Sequence, residues 1–410
     1  MKKKDILELK RRLKKDDCTF TKMCGCYVNS EKNIILKFKE NFLNLRDEEY
    51  YKYLEIAKKT LSGTIGNNLL ELNFPFDETS VNSTQLSLME LKKSALKDDA
   101  MLDSFYKLII DSYDYSGNFL IVIFHDAYDV ISRTTDNGKL DESEEVYEYL
   151  LCSICPVELT AAGLGYFESE NEIKARTRDW VVSMPDVGFV FPAFSDRSSD
   201  VNSIIYYTKN AKNPHPELME QALGCNSKKT AYEQKETFNC ILNKAVGDDK
   251  QKTDHLFMEI QETLNNMIEE NNEINGKDAE PIIINKDNIG ELLTESGIPE
   301  HISSKIEECY NDEFIDAPPI AENLIDKKAL DKNEQRKKEE RLEKKVQILE
   351  EKLETTKKEL EANNDTDIIV KVRPEKVSEI KSQIIDGKKY IIIPIEENEQ
   401  ANVNGIASLL

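Results

Sequence analysis

The stretch GNFLIVIFHDAYDV, residues 117–130, sets six consecutive apolar side chains ahead of His125, Asp126 and Asp129. A run this rich in β-branched and aromatic residues reads as a strand. The polar trio after it has two readings. It marks the place where the strand leaves the core for solvent, with aspartates bonding the turn. Alternatively, it opens a carboxylate site for a hard cation, completed by Glu168, Glu170 and Glu172 of YFESENE or by Asp196 and Asp200 of FSDRSSD.

Three further runs of the same character follow: EEVYEYLLCSICPVEL (144–159), RDWVVSMPDVGFVFPAF (178–194) and VNSIIYYTKN (201–210). Upstream, residues 24–38 read as a hairpin, 67–76 as a strand weakened at Pro75, and 46–63, 84–96 and 99–113 as helices. Downstream, 254–273 is helical, and 285–314 forms two short helices broken at Gly297-Ile298-Pro299. That pair has the outline of a helix-turn-helix, but its acids outnumber its bases and DNA would repel it. The fold class is therefore α+β, a largely antiparallel sheet flanked by helices.

Residues 331–363 change composition to Glu and Lys. Leu342, Val346, Leu349, Leu353, Thr356 and Leu360 alternate at +4 and +3, a heptad seam that predicts a short coiled coil, self-associating or bound to a partner helix. The tail 367–397 reads as a β-α-β-β module: a strand, a helix opening near Pro374, and two strands joined at Asp386-Gly387. The expected organisation is a core domain over 1–250, a helical region over 251–325, a charged heptad helix or linker over 326–365, and the small module over 366–400.

Composition excludes several classes. No stretch among the 410 residues approaches the run of about 18 apolar residues that a membrane helix needs. A net charge of −23 argues against nucleic acid as a partner. The basic start, MKKKDILELKRRLKK, is an exception that places Ile6, Leu9 and Leu13 on one helical face. We read it as an exposed helix docked by three apolar residues rather than as a membrane or RNA contact. It lacks the apolar core of a secretory signal, so the expected location is cytoplasmic, with the eight cysteines reduced.

Other motifs are weak. With four histidines in all and none before His125, a histidine-aspartate phosphohydrolase is excluded. There is no phosphate loop, no dinucleotide fingerprint, no nucleophile elbow and no kinase signature, so no cofactor is indicated. Cys24, Cys26, Cys152 and Cys155 could make a tetrahedral zinc site only if the chain bends near Pro156, because positions i and i+3 of a strand face opposite ways. Buried structural thiols are the simpler reading. Trp180 reads as a core anchor, and Arg197 as an ion-pair partner of Asp196 or Asp200.

The phrases GCYV (25–28), KKTLSGTIGNNL (58–69), GNFLIVIFHDAYDV (117–130), LCSICPVEL (151–159), DWVVSMPDVGFVFPAFSDRSSD (179–200), YYTKN (206–210) and EQKETF (233–238) occur in order. They resemble the Firmicute family known as domain of unknown function 4317, over roughly residues 1–325 and again in the IDGKKYIII tail. The resemblance implies no activity, cofactor or catalytic residue. Cys24 departs from the family pattern, in which that position is commonly basic, and the heptad segment stands outside the resemblance. Two functional expectations follow. The first is a cytoplasmic, non-enzymatic binding or regulatory protein acting through surfaces. The alternative is a metal-dependent hydrolase or phosphotransfer enzyme using His125, Asp126 and Asp129, with Asp196 and Arg197 as further candidates.

Overall fold

The stretch GNFLIVIFHDAYDV falls, from Asn118 on, within a single long strand whose first half is the apolar run. In the computed structural model, β4 (Asn118–Arg133) pairs antiparallel with β5 (Lys139–Leu159) along most of its length. The structure describes residues 2–76, 82–133, 139–247, 250–276, 280–315, 317–362, 370, 372–395, 401–403 and 406–408.

The remaining strands are β1 (Lys22–Val28), β2 (Ile34–Asn41), β3 (Leu69–Asn73), the hairpin β6 (Leu164–Phe167) and β7 (Glu172–Ala175), β8 (Trp180–Val182), β9 (Val187–Phe191), the hairpin β10 (Ala193–Ser195) and β11 (Ser198–Asp200), and β12 (Ser203–Thr208). The main sheet runs β2-β1-β4-β5-β9-β12-β3, with β8 beside the end of β5, and every pairing in it is antiparallel. The protein is α+β.

Helices cover both faces. Against one lie α1 (Lys3–Arg12) and α2 (Asp47–Thr60); against the other lie α3 (Ser83–Lys93) and α4 (Asp99–Ser112). Strand alternation deals side chains to the two layers in turn. Ile121 and Ile123 join the α3/α4 core, whereas Leu120, Val122 and Phe124 join the α1/α2 core. Burial on both faces is why the run is continuously apolar rather than alternating. The helices also start where local chemistry favours it. Asp98 caps α4 by accepting from the amides of Ala100 and Met101, and α2 carries three acids in its first turn and two lysines in its last.

A third core is helical: α5 (Ala231–Val246), α6 (Lys250–Asn275), α7 (Lys286–Glu295), α8 (Glu300–Phe314) and α9 (Ala321–Leu324) enclose Phe238, Ile260, Leu292, Ile306 and Tyr310. Capping boxes open α5 at Thr230/Glu233 and α7 at Asn285/Asn288. This core begins at α5, upstream of the expected boundary at residue 251, because Phe238, Ile241 and Leu242 face it.

By internal packing the chain divides into two units, Met1–Asp331 and Lys332–Leu410. The second contains most of α10 (Lys327–Ala362) and the hairpin β13 (Lys381–Ile385) and β14 (Lys388–Ile392), turning at Asp386-Gly387 with both φ angles positive. The helix expected near Pro374 is a 3-10 helix, Pro374–Glu379. The strand expected to open this tail, from residue 367, lies mostly outside the described residues.

One close approach fixes α2 on the sheet. Thr60, at the end of α2, shares a hydrogen bond with Ser153 of β5 across 2.8 Å, directly over Gly188 of β9. A Cβ on Gly188 would stand 2.5 Å from the Cys152 carbonyl and 2.7 Å from the Thr60 methyl. We expect Gly188→Ala to destabilise the protein by at least about 2 kcal/mol, read from urea denaturation. An unchanged midpoint would refute this packing of α2.

Candidate functional site

His125 and Asp126 are not where a strand ends. Both lie within β4, 4% and 1% exposed, because the pairing with β5 carries on past them to Arg133. Being adjacent on a strand, they point to opposite faces of the sheet. On the α3 face, His125 Nδ1 meets Thr21 Oγ1 at 2.9 Å and Nε2 meets Glu148 Oε1 at 3.0 Å, with the Lys92 ammonium 3.9 Å from the other Glu148 oxygen. On the α1 face, the Asp126 carboxylate accepts from Thr19 Oγ1 at 2.6 Å, the Tyr149 hydroxyl at 2.7 Å and the amide of Ala127 at 3.0 Å. Burial and that carboxylate hold the Tyr149 hydroxyl protonated, far above the ordinary tyrosine range.

Around Asp126 a polar seam fastens α1 to the sheet. The Arg12 guanidinium lies 3.7 Å over the Tyr128 ring and donates to Thr19, while the Tyr128 hydroxyl donates to Glu8 at 2.7 Å. Arg197 pairs with Glu8 at 3.3 Å. Asp196 receives Lys2 at 2.5 Å on the surface. The cause is the tight β10-β11 turn, where Asp196 and Arg197 both take positive φ and so project toward α1. Ile6, Leu9 and Leu13 are buried beneath, so the basic N-terminal helix docks by its three apolar residues.

The other candidates are dispersed. Asp129 is exposed, four residues along β4 from His125, which is about 13 Å of strand. Glu168, Glu170 and Glu172 are exposed at the β6-β7 hairpin, where Glu170 pairs with Lys174. Asp200 accepts from Ser203 and from the amide of Asn202, closing its own turn. The structure thus brings Asp126 near Arg12 and Tyr149, and leaves His125, Asp129 and Asp196 apart.

Cys24, Cys26 and Cys152 face the α3/α4 core, whereas Cys155 faces the α1/α2 core. Cys24 and Cys152 sit in one row with Ile123 of β4 between them, about 10 Å apart by strand spacing. These four sulfurs do not converge. Burial pushes the thiols up, to about 11 for Cys24 and about 12 for Cys26 and Cys155, as unreactive core residues require. Among the described residues, no three His, Cys, Asp or Glu side chains are placed to hold a metal ion. Trp180 is no core anchor: it is 57% exposed, because β8 is a three-residue strand at the margin of the sheet.

One titratable cluster carries no sequence signal. His215 follows β12 in a left-handed conformation, and its imidazole lies between Asp186 (Nε2–Oδ2 3.3 Å) and Glu217 (Nδ1–Oε1 3.0 Å). The Tyr113 hydroxyl donates to the same Asp186 oxygen at 2.8 Å, and its ring lies 5.0 Å from the imidazole. Burial alone would lower the His215 pKa, but the two carboxylates outweigh it and raise it. Burial likewise opposes ionisation of Asp186, yet hydrogen bonds from His215 and Tyr113 hold its carboxyl below the usual range. The cluster joins Tyr113 at the end of α4, Asp186 at the start of β9 and His215 beyond β12, residues at least 29 positions apart in the chain that only the fold brings together.

The chain belongs to the family described as Domain of unknown function (DUF4317), whose model matches residues 1–406. The span of the match includes the heptad segment. No curated protein and no solved structure matches the chain.

Two outcomes follow from this geometry. Asp126→Ala strands the buried Tyr149 hydroxyl and should cost about 3 kcal/mol, and combining it with Tyr149→Phe should recover part of that loss; strictly additive denaturation energies would contradict the network. His215→Asn keeps a residue that tolerates positive φ while removing the cation. Because the folded-state pKa of His215 is raised, its stabilisation is fully present below about pH 6.5 and fades as pH rises through the folded value. The variant should therefore lose about 2 kcal/mol at pH 6 and less at pH 9, a difference that paired melts would read.

Proposed function

We propose that this protein is a cytoplasmic, non-enzymatic binding or regulatory protein that acts through its surfaces, with α10 as the association element. The observation that carries this reading is the exposed seam. Leu342, Val346, Leu349 and Leu353 lie along one side of α10, each between 51% and 63% exposed. On a helix otherwise mostly Glu and Lys, with Ile348 also exposed beside the row, an aligned apolar row at heptad spacing is what a second helix covers. The eight free thiols suit a reducing compartment, and among the described residues no helix is long and apolar enough to cross a membrane. The enzymatic alternative draws no support from the trio that suggested it, since His125 and Asp126 face opposite layers and each is taken up by structural partners.

Light scattering tests the reading. The full-length protein should have the mass of an oligomer, and Val346→Asp with Leu349→Asp should reduce it to a monomer whose thermal unfolding is otherwise unchanged. Identical monomeric masses for both would remove the association argument.

A further inference from the structure

We infer that the occupant of the α10 seam is a second copy of this chain, aligned parallel and in register, an inference that rests on the association reading above. The spacing assigns Leu342 and Leu349 to d positions and Val346 and Leu353 to a positions. Leucine at d with a β-branched residue at a is the pattern of two-stranded coils, which both d positions and Val346 follow and Leu353 does not. The flanking charges then decide orientation. In a parallel pair each g residue faces the e residue five positions on in the other helix. Lys338 meets Glu343 and Lys345 meets Glu350, both attractive; only Lys352 meets a like charge, Lys357. The antiparallel alignment that stacks the same four apolar residues sets Leu342 against Leu353 and Val346 against Leu349. It also sets Lys345 against Lys352 and Glu343 against Glu350, both like-charged, and only Lys338 against Glu359 is attractive.

A second observation also points to a duplicate chain. The β13-β14 hairpin is two-stranded with every strand residue exposed, Ile384 at 71% and Ile391 at 61% on one face. A lone hairpin of this size is marginal in water. Parallel α10 helices send both copies of this segment toward the same end of the coil, where each hairpin can cover the apolar face of the other.

The experiment uses the full chain carrying Cys240→Ser and Cys309→Ser, which removes the two thiols that are not buried. Under mild oxidation, Leu342→Cys should form a disulfide-linked dimer by itself. A mixture of Leu342→Cys and Leu353→Cys chains should give little of the mixed dimer. Preferential formation of the mixed dimer would overturn the parallel arrangement while leaving association intact, whereas a monomeric mass in light scattering would overturn both. Lys352→Glu should tighten dimerisation by about tenfold, since it turns two repulsive contacts into attractive ones. Unchanged or weaker dimerisation would overturn the register.

Discussion

Pairing of β4 with β5, covered by helices on both sides, is the constraint from which the other features follow. Six side chains at 119–124 alternate between two cores, and burying each contributes about 2 kcal/mol, on the order of 10 for the run. That is comparable with the entire net stability of a typical domain. It also fixes register, because a slip of one residue would exchange the contents of the two cores. With register fixed, Cys24, Cys26 and Cys152 are committed to one layer and Cys155 to the other.

The same alternation governs the polar residues that continue the strand. Beyond Phe124 the helices still cover the sheet, so His125 and Asp126 are buried rather than released to solvent. A buried carboxylate is tolerated only when its oxygens are filled, and Asp126 fills them with Thr19, Tyr149 and a backbone amide. Thr19 also receives Arg12, so this satisfaction extends to the N-terminal helix. Such a network ties α1 to one register of the sheet, and in a low-dielectric site its members reinforce one another. Asp126, one of the polar trio that suggested chemistry, thus becomes a device for positioning a helix.

Much of the architecture was legible in the sequence. The strand runs, the helices at 47–60, 83–93 and 99–112, the break before Pro299 and the hairpin at Asp386-Gly387 each follow from local periodicity or turn chemistry. The end of β4 was not, since the residues after Asp126 lack the apolar density that marks a strand; pairing with β5 holds them extended. The opposed directions of His125 and Asp126 could have been read from strand alternation alone, once both were placed inside the strand. Trp180 misled because its size suggests a core residue, whereas exposure is decided by its place on a short marginal strand. The His215–Asp186 pair was not legible at all: its partners come from separate elements, and neither stands in a recognisable motif.

Charge favours α10 over other surfaces for the association proposed above. The chain carries −23 overall, so two copies approaching at random surfaces repel one another. Residues 331–363 contain ten Lys or Arg and ten Asp or Glu, a neutral segment attached to an acidic remainder. Neutrality removes the long-range penalty there, and lysines at g opposite glutamates at e supply a short-range preference for one alignment. An isolated helix of this composition is stabilised by its internal Glu–Lys pairs, such as Glu334 with Lys338, and gains nothing from four leucines and valines held in water. Under the proposed association, another helix covers the seam, and the balance of charge makes the same segment of another copy the partner that meets least resistance.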